Sequence, residues 1–426
     1  MLPERLGLGV DLGTSGLRLA VVNAAGQLQA EHSANYPAAF EDPCGWRDGL
    51  RALCSELPGD LRAAVAAIAI DGTSGTLLLC RPDGGLGSGP LARALPYHLA
   101  CPEWAEAVAA LVGEAGAQTP AASATGSLAR ALRLLEQARQ CPEAGPWWLR
   151  HQADWLMGWL LGDWRWGEES NNLRLGWDQH QGAWMGRLAE QSWSTALPQI
   201  CASGEVLGPL SPAAAAELDL PLDCRVVAGT TDASAAALAA DLQPGDGVTV
   251  LGTTLVLKQF SDQPLQGPGV SCQRVAGRWL VGGASNAGAG VLRRFFTDAQ
   301  LMELSRQIDP RSSSGLQLRP LPRPGERFPV DDPALEPVLE PRPVSDALYL
   351  QALLEGLAAI ELAGWQRLQQ LGAPPVQRVI SLGGGARNPQ WRAIRQRLLE
   401  RPVLNRPQCS AALGMARLAI SAVAAR

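Results

Sequence analysis

Two aspartates set among small polar turns are the residues of this chain best placed to do chemistry. Asp11 opens Asp11-Leu12-Gly13-Thr14-Ser15-Gly16, and Asp232 closes Gly229-Thr230-Thr231-Asp232. A tight turn between strands points successive backbone N–H groups one way and forms a concavity for an anion. Gly13 and Gly16 permit close approach, and Thr14 and Ser15 add hydroxyl donors. Asp11 repels a bare phosphate, so it fits such a turn only with a cation such as Mg²⁺ between them, held through water. Asp232 stands at the start of ASAAALAA, where a helix dipole favours a carboxylate by about 0.3–1 kcal/mol. It suits two roles, a helix cap or a general base that takes a proton from a hydroxyl nucleophile. Phosphoryl transfer to an alcohol needs such a base together with Mg²⁺ and donors around the phosphates. The Asp11 turn also reads as an ordinary hairpin, for which Asp, Gly, Ser and Thr are the usual residues.

Two further turns have related chemistry. Gly252-Thr253-Thr254 joins two apolar strands, and Gly383-Gly384-Gly385-Ala386-Arg387-Asn388 lies between the strand VISL and a helix opening at Pro389. Three consecutive glycines are entropically costly, but they let a flat ligand such as adenine lie against bare backbone. Lys258 is the one lysine among 36 basic residues and shares a strand face with Thr254 and Val256. It is expected at a solvated strand end, with a phosphate contact as the alternative. Other nucleotide cradles are excluded. Leu12 occupies the third glycine position of a dinucleotide fingerprint, and the lone lysine follows Leu257 where a P-loop needs glycine. The four histidines have no metal-ligand spacing, and no nucleophile elbow is present.

The elements that must position these turns alternate between strand and helix, which argues an α/β fold. VDLGTSGLRLAVV and TVLGTTLVLKQF are both strand, Gly-Thr turn and strand, half a chain apart, and suggest two related domains facing each other. Residues 345–371 read as a long helix, and the Pro-rich stretch 320–343 as an irregular surface excursion. A length of 426 residues allows two or three domains, and 46% hydrophobic with 18% charged residues is globular composition. A net charge of −5 argues against nucleic-acid or polybasic membrane partners. Nine scattered cysteines without a CxxC pair read as reduced thiols. No leader is visible, and no window approaches the ~18 apolar residues of a membrane span. A cytoplasmic or stroma-like compartment is therefore expected.

In chain order these motifs resemble the FGGY carbohydrate kinases, within the actin-like ATPase (ribonuclease H-like) fold. Asp11–Gly16 resembles that family's first phosphate motif, Gly252–Thr254 the second, Gly383–Asn388 the adenosine motif and Gly229–Asp232 the segment with its catalytic aspartate. QADWLMGWLLGD (152–163), ESNNLRLGWDQHQGAW (169–184), GEVLGPL (204–210), GGASNAGAG (282–290) and AALGMARLA (411–419) follow in the expected order. The resemblance implies two domains with a central cleft. Residues 1–239 with 412–426 would form the sugar-binding domain and 240–411 the ATP-binding one. It also implies ATP and Mg²⁺, closure that excludes water, and a monomer or homodimer. Asp232 would be the base and Asp11 would organise the metal.

The segment after Ser74-Gly75-Thr76 lacks the Asp-x-Arg pair with which larger relatives grip sugar hydroxyls. Ser74 becomes the replacement contact. This compact pattern most resembles the short cyanobacterial and plant D-ribulose kinases, once grouped with xylulose kinases. It implies phosphorylation of D-ribulose at its C5 hydroxyl, with Asp11, Ser74 and Asp232 holding the sugar. A D-xylulose or other ketose kinase, a non-catalytic sensor and a chaperone-like ATPase are the alternatives.

Overall fold

Every residue of the first strand, Leu6–Leu12, is buried, the glycines as well as the leucines. A strand covered on both faces is expected at the centre of a layered α/β sheet. One face meets a core that includes Trp46, Leu50 and Leu53. The other takes the last helix, Ala411–Ala424, at a very short distance. A Cβ on Gly9 would stand 2.0 Å from the carbonyl oxygen of Ala412, and one on Gly7 would stand 2.4 Å from that of Ala416. Only glycine permits this approach.

The structure is a computed structural model that describes residues 5–117, 119–407 and 409–424. Residues 1–4, 118, 408 and 425–426 of the expected domain ranges lie outside the described residues. Contacts divide the chain into two units. One is Met1–Ala239 with Arg274–Gly277 and Ser410–Arg426; the other is Ala240–Gln273 with Arg278–Cys409.

Each unit is built on a six-stranded sheet in which five strands follow one plan and the sixth lies at opposite edges. In the first, Leu6–Leu12 pairs antiparallel with Gly16–Val22, which pairs antiparallel with Leu28–Asn35. On its other side Leu6–Leu12 pairs parallel with Val65–Gly72, and that strand pairs parallel with Arg225–Val227. The second unit repeats the order. Asp246–Leu251 and Leu255–Ser261 form the hairpin, Arg278–Ser285 adds antiparallel, and Arg378–Leu382 and Val403–Asn405 add parallel. The two Leu-Gly-Thr turns of the sequence are thus equivalent hairpin tips.

Two expectations need correction. The Pro-rich stretch is irregular, but it is not a mere surface excursion: Leu321 and Phe328 are fully buried in the second core. Proline removes ladder donors; it does not prevent burial of the residues between. Secondly, the helix Asp346–Gln370 is long and apolar enough to cross a membrane, although no such window was expected. Two thirds of its apolar window is buried within the protein, and it carries the buried acids Glu355 and Glu361. Glu361 pairs with Arg395 at 2.6 Å, both fully buried. That ion pair marks a core helix.

Candidate functional site

The parallel register of the first unit sets Asp11 directly beside Asp71. Asp11 is buried, and its Oδ2 accepts from Arg18 Nη1 at 2.9 Å. Asp71 is fully buried, and neither of its oxygens has a donor among the described residues. Burial, then the charges of Asp11 and Asp232, push the Asp71 carboxyl far above the usual carboxylate range. Two carboxyl groups side by side in a buried strand pair disfavour a second negative charge, which keeps the Asp71 proton affinity high. Asp71 was missed in the sequence. The signal was present, because DGTSG at 71–75 nearly repeats DLGTSG at 11–16.

Thr14 and Ser15 are exposed at the tip of the first hairpin. Tyr36 Oη donates to the carbonyl of Gly13 at 2.8 Å, and Thr14 Oγ1 lies 3.3 Å from Tyr97 Oη. The Thr73–Thr76 turn lies at the end of the neighbouring strand. Gln152 Oε1 accepts from Thr73 N at 3.1 Å and from its hydroxyl at 2.8 Å. Arg130 Nε donates to the carbonyl of Gly75 at 3.0 Å, and Arg174 Nη1 to that of Ser74 at 3.2 Å. Ser74 is half-buried.

Asp232 is the first residue of the helix Asp232–Ala239. Thr231 bridges to Gly72, so this helix starts at the same sheet edge as the Ser74 turn. Thr231 O accepts from Ser234 N at 3.0 Å and Ala235 N at 2.9 Å, and Asp232 Oδ1 accepts from Ala233 N at 2.7 Å. Burial raises the Asp232 carboxyl to about 6, assisted by the charge of Asp11 and opposed by the Ala233 N–H and by Arg174. A half-buried carboxylate with that affinity is suited to general-base work near neutral pH. Asp11, Ser74 and Asp232 therefore share one sheet edge of one unit. Among the described residues no three His, Cys, Asp or Glu side chains form a metal cage. One carboxylate is nonetheless compatible with Mg²⁺, which keeps most of its water and takes phosphate oxygens.

In the second unit Gly252–Thr254 is the hairpin tip, with Thr253 exposed. The 282–290 loop supports it: Ala289 N donates to Gly252 O at 2.9 Å and Gly290 N to Thr253 O at 3.2 Å. Glu326, from the Pro-rich stretch, anchors that loop by accepting from Ser285 Oγ at 2.5 Å and Asn286 N at 2.7 Å. Gly383 has φ of 82°, which favours glycine, and a Cβ on Gly384 would meet nothing within 4 Å. Gly384, Gly385 and Asn388 line a cavity of about 520 Å³ with Leu292, Met302, Ser305 and Trp391. Asn388 has both side-chain ends engaged. Its Oδ1 accepts from Trp391 N at 3.0 Å and its Nδ2 donates to Ser305 Oγ at 2.8 Å. It therefore shapes the cavity wall.

Lys258 departs from expectation. It lies mid-strand and buried, its Nζ donates to Ser271 Oγ at 2.8 Å, and burial pushes its ammonium down to about 8. It is not a solvated strand end.

Residues 247–423 match the C-terminal domain of the FGGY family of carbohydrate kinases. Solved structures with the same fold include a "xyloylose kinase" from Brucella ovis, with TM-score 0.82 and 22% identity over 99% of this chain and 91% of that one. A xylulose kinase from Rhodospirillum rubrum gives TM-score 0.81 and 23% identity over 99% and 90%. Glycerol kinase of Plasmodium falciparum with ADP gives TM-score 0.80 and 14% identity over 99% and 90%. The fold is that of the two-domain, actin-like ATPase kinases, and the family match supports a carbohydrate kinase.

Proposed function

We propose that this chain, whose residues 247–423 carry the FGGY C-terminal domain, phosphorylates D-ribulose at its C5 hydroxyl with ATP. The observation that carries this reading is Asp232, a half-buried carboxylate raised to about 6 at the sheet edge that also holds Asp11 and the Ser74 turn. Asp232 takes the hydroxyl proton as the oxygen attacks the γ-phosphorus; the bond to the bridging oxygen breaks and ADP leaves. Asp11 and Ser74 orient the sugar. Contacts to ATP are assigned to Gly13, Thr14, Ser15 and Gly16, to Gly252, Thr253 and Thr254, and to Gly383, Gly384, Gly385 and Asn388. Mg²⁺, when bound, neutralises phosphate charge, and Asp11 would hold it through water.

The lack of an Asp-x-Arg pair after Ser74-Gly75-Thr76, a pattern similar to that of the short D-ribulose kinases, supports the D-ribulose assignment. A D-xylulose kinase using the same residues is the second reading, favoured by the names of two structural neighbours. Coupled ADP release across pentuloses, hexuloses and glycerol tests the choice. D-ribulose should give the highest kcat/KM; equal rates on every acceptor, or none with any sugar, contradict it.

A further inference from the structure

Arg130 and Arg150 of the first unit are fully buried and Arg174 is half-buried, and they differ in how their nitrogens are used. Arg130 donates from Nε to Gly75 O at 3.0 Å, from Nη1 to Tyr97 O at 3.1 Å and Leu99 O at 2.7 Å, and from Nη2 to Thr125 O at 2.9 Å. Arg150 likewise directs all three nitrogens at carbonyls, those of Trp164, Leu149, Ala196 and Arg165. Both arginines are structural clamps.

Arg174 is different. Its one hydrogen bond among the described residues runs from Nη1 to Ser74 O at 3.2 Å, and its Nε is buried with no partner. Its stem passes the same turn, since a Cβ on Gly75 would stand 3.6 Å from Arg174 Cδ. The Nε–Nη2 edge of a guanidinium is a fork of two parallel donors, and here neither donor has a hydrogen-bond partner among the described residues. A buried donor left unbonded is destabilising, so an acceptor from outside the chain is the natural complement. Asp232 is the acid whose charge acts on Arg174, and the two form no ion pair among the described residues. The fork is thus held on the Ser74 turn, within the field of the carboxylate assigned as base.

We propose that Arg174 is a substrate-contact residue whose Nε–Nη2 fork takes the carbonyl oxygen and an adjacent hydroxyl of an α-hydroxyketone, and so selects a ketose over the corresponding polyol. This deepens the ketose-kinase reading and rests on it. Arg174 grips the ketone end of the sugar while Asp232 meets the terminal hydroxyl.

The test uses the full chain as wild type, Arg174→Gln and Arg174→Lys, with D-ribulose and with ribitol, its C2-reduced polyol. Steady-state kinetics are paired with calorimetric sugar binding in the absence of ATP. Both variants should raise KM and Kd for D-ribulose about 10–100-fold, leave KM for ATP within about twofold, and bring the ribulose-to-ribitol preference close to one. Unchanged ribulose binding, or equal weakening of both acceptors, overturns the inference. If Arg174→Gln does not fold, Arg174→Lys decides alone, because it keeps the charge but lacks the fork. A wild type that binds ribulose without transferring phosphate defeats the kinase reading, while calorimetry still tests the contact. A wild type that binds neither sugar defeats both.

Discussion

Burial of Asp232 raises its proton affinity, and the same effect opposes folding at neutral pH. Its carboxyl moves from an ordinary 3.8 to about 6, so the folded chain binds this proton more tightly than the unfolded one. Its contribution to stability is therefore full below about pH 4 and is lost as pH rises through about 6, an effect of at most about 3 kcal/mol. Asp232→Asn should accordingly be more stable than wild type at pH 7.5, by ~1–3 kcal/mol in denaturant titrations, and the gain should vanish near pH 4. In catalysis the sign reverses. Wild-type kcat/KM should fall about tenfold per pH unit below about 6, because the base must be ionised. At this scale the sequence displayed Asp11, Ser74 and Asp232 through their turns. Asp71 carried a signal in its repeated turn, but its pairing with Asp11 depends on strand register, and the contact of Arg174 with a carbonyl one hundred positions away leaves no trace in local sequence.

Elements, more than single residues, hold the turns in place. The strand-turn-strand repeat was legible because its alternation and Gly-Thr tip survive in both copies, and it folded as two equivalent hairpins. The Pro-rich stretch was misread because proline excludes a ladder but leaves Phe328 and Glu326 free to pack inward. Glu326→Ala should release the 282–290 loop from beneath Gly252 and Thr253. KM for ATP should rise about tenfold, with sugar binding by calorimetry unchanged. Gly9→Ala and Gly384→Ala make a contrasting pair. The first drives a methyl to 2.0 Å from Ala412 O and should lower stability by about 3 kcal/mol or more, read as a fall in Tm. The second meets no protein atom and should keep Tm, but it should weaken ATP binding because Gly384 lines the 520 Å³ cavity.

Across the whole molecule the first unit is discontinuous in sequence and is completed by its last segment. The helix Ala411–Ala424 covers Ala67, Ala69 and Val227 through Met415, Leu418 and Ala419. A chain ending at Cys409 should therefore lose the first unit's cooperative unfolding, while Ala240–Gln273 with Arg278–Cys409 keeps its own core; limited proteolysis should show that unit surviving. The overall fold is shared with the solved kinases, whereas the acceptor sugar proposed above rests on a few contacts around Ser74 and Arg174 that no pattern of periodicity encodes. The central claim is that Asp232 activates a sugar hydroxyl. Its most direct test is pre-steady-state phosphoryl transfer from ATP to D-ribulose by wild type and Asp232→Asn, with ATP affinity measured on both. The expected result is a transfer rate lower by about 10²–10⁴ with ATP affinity unchanged; transfer by the variant at the wild-type rate, or ADP formed equally without sugar, would contradict it.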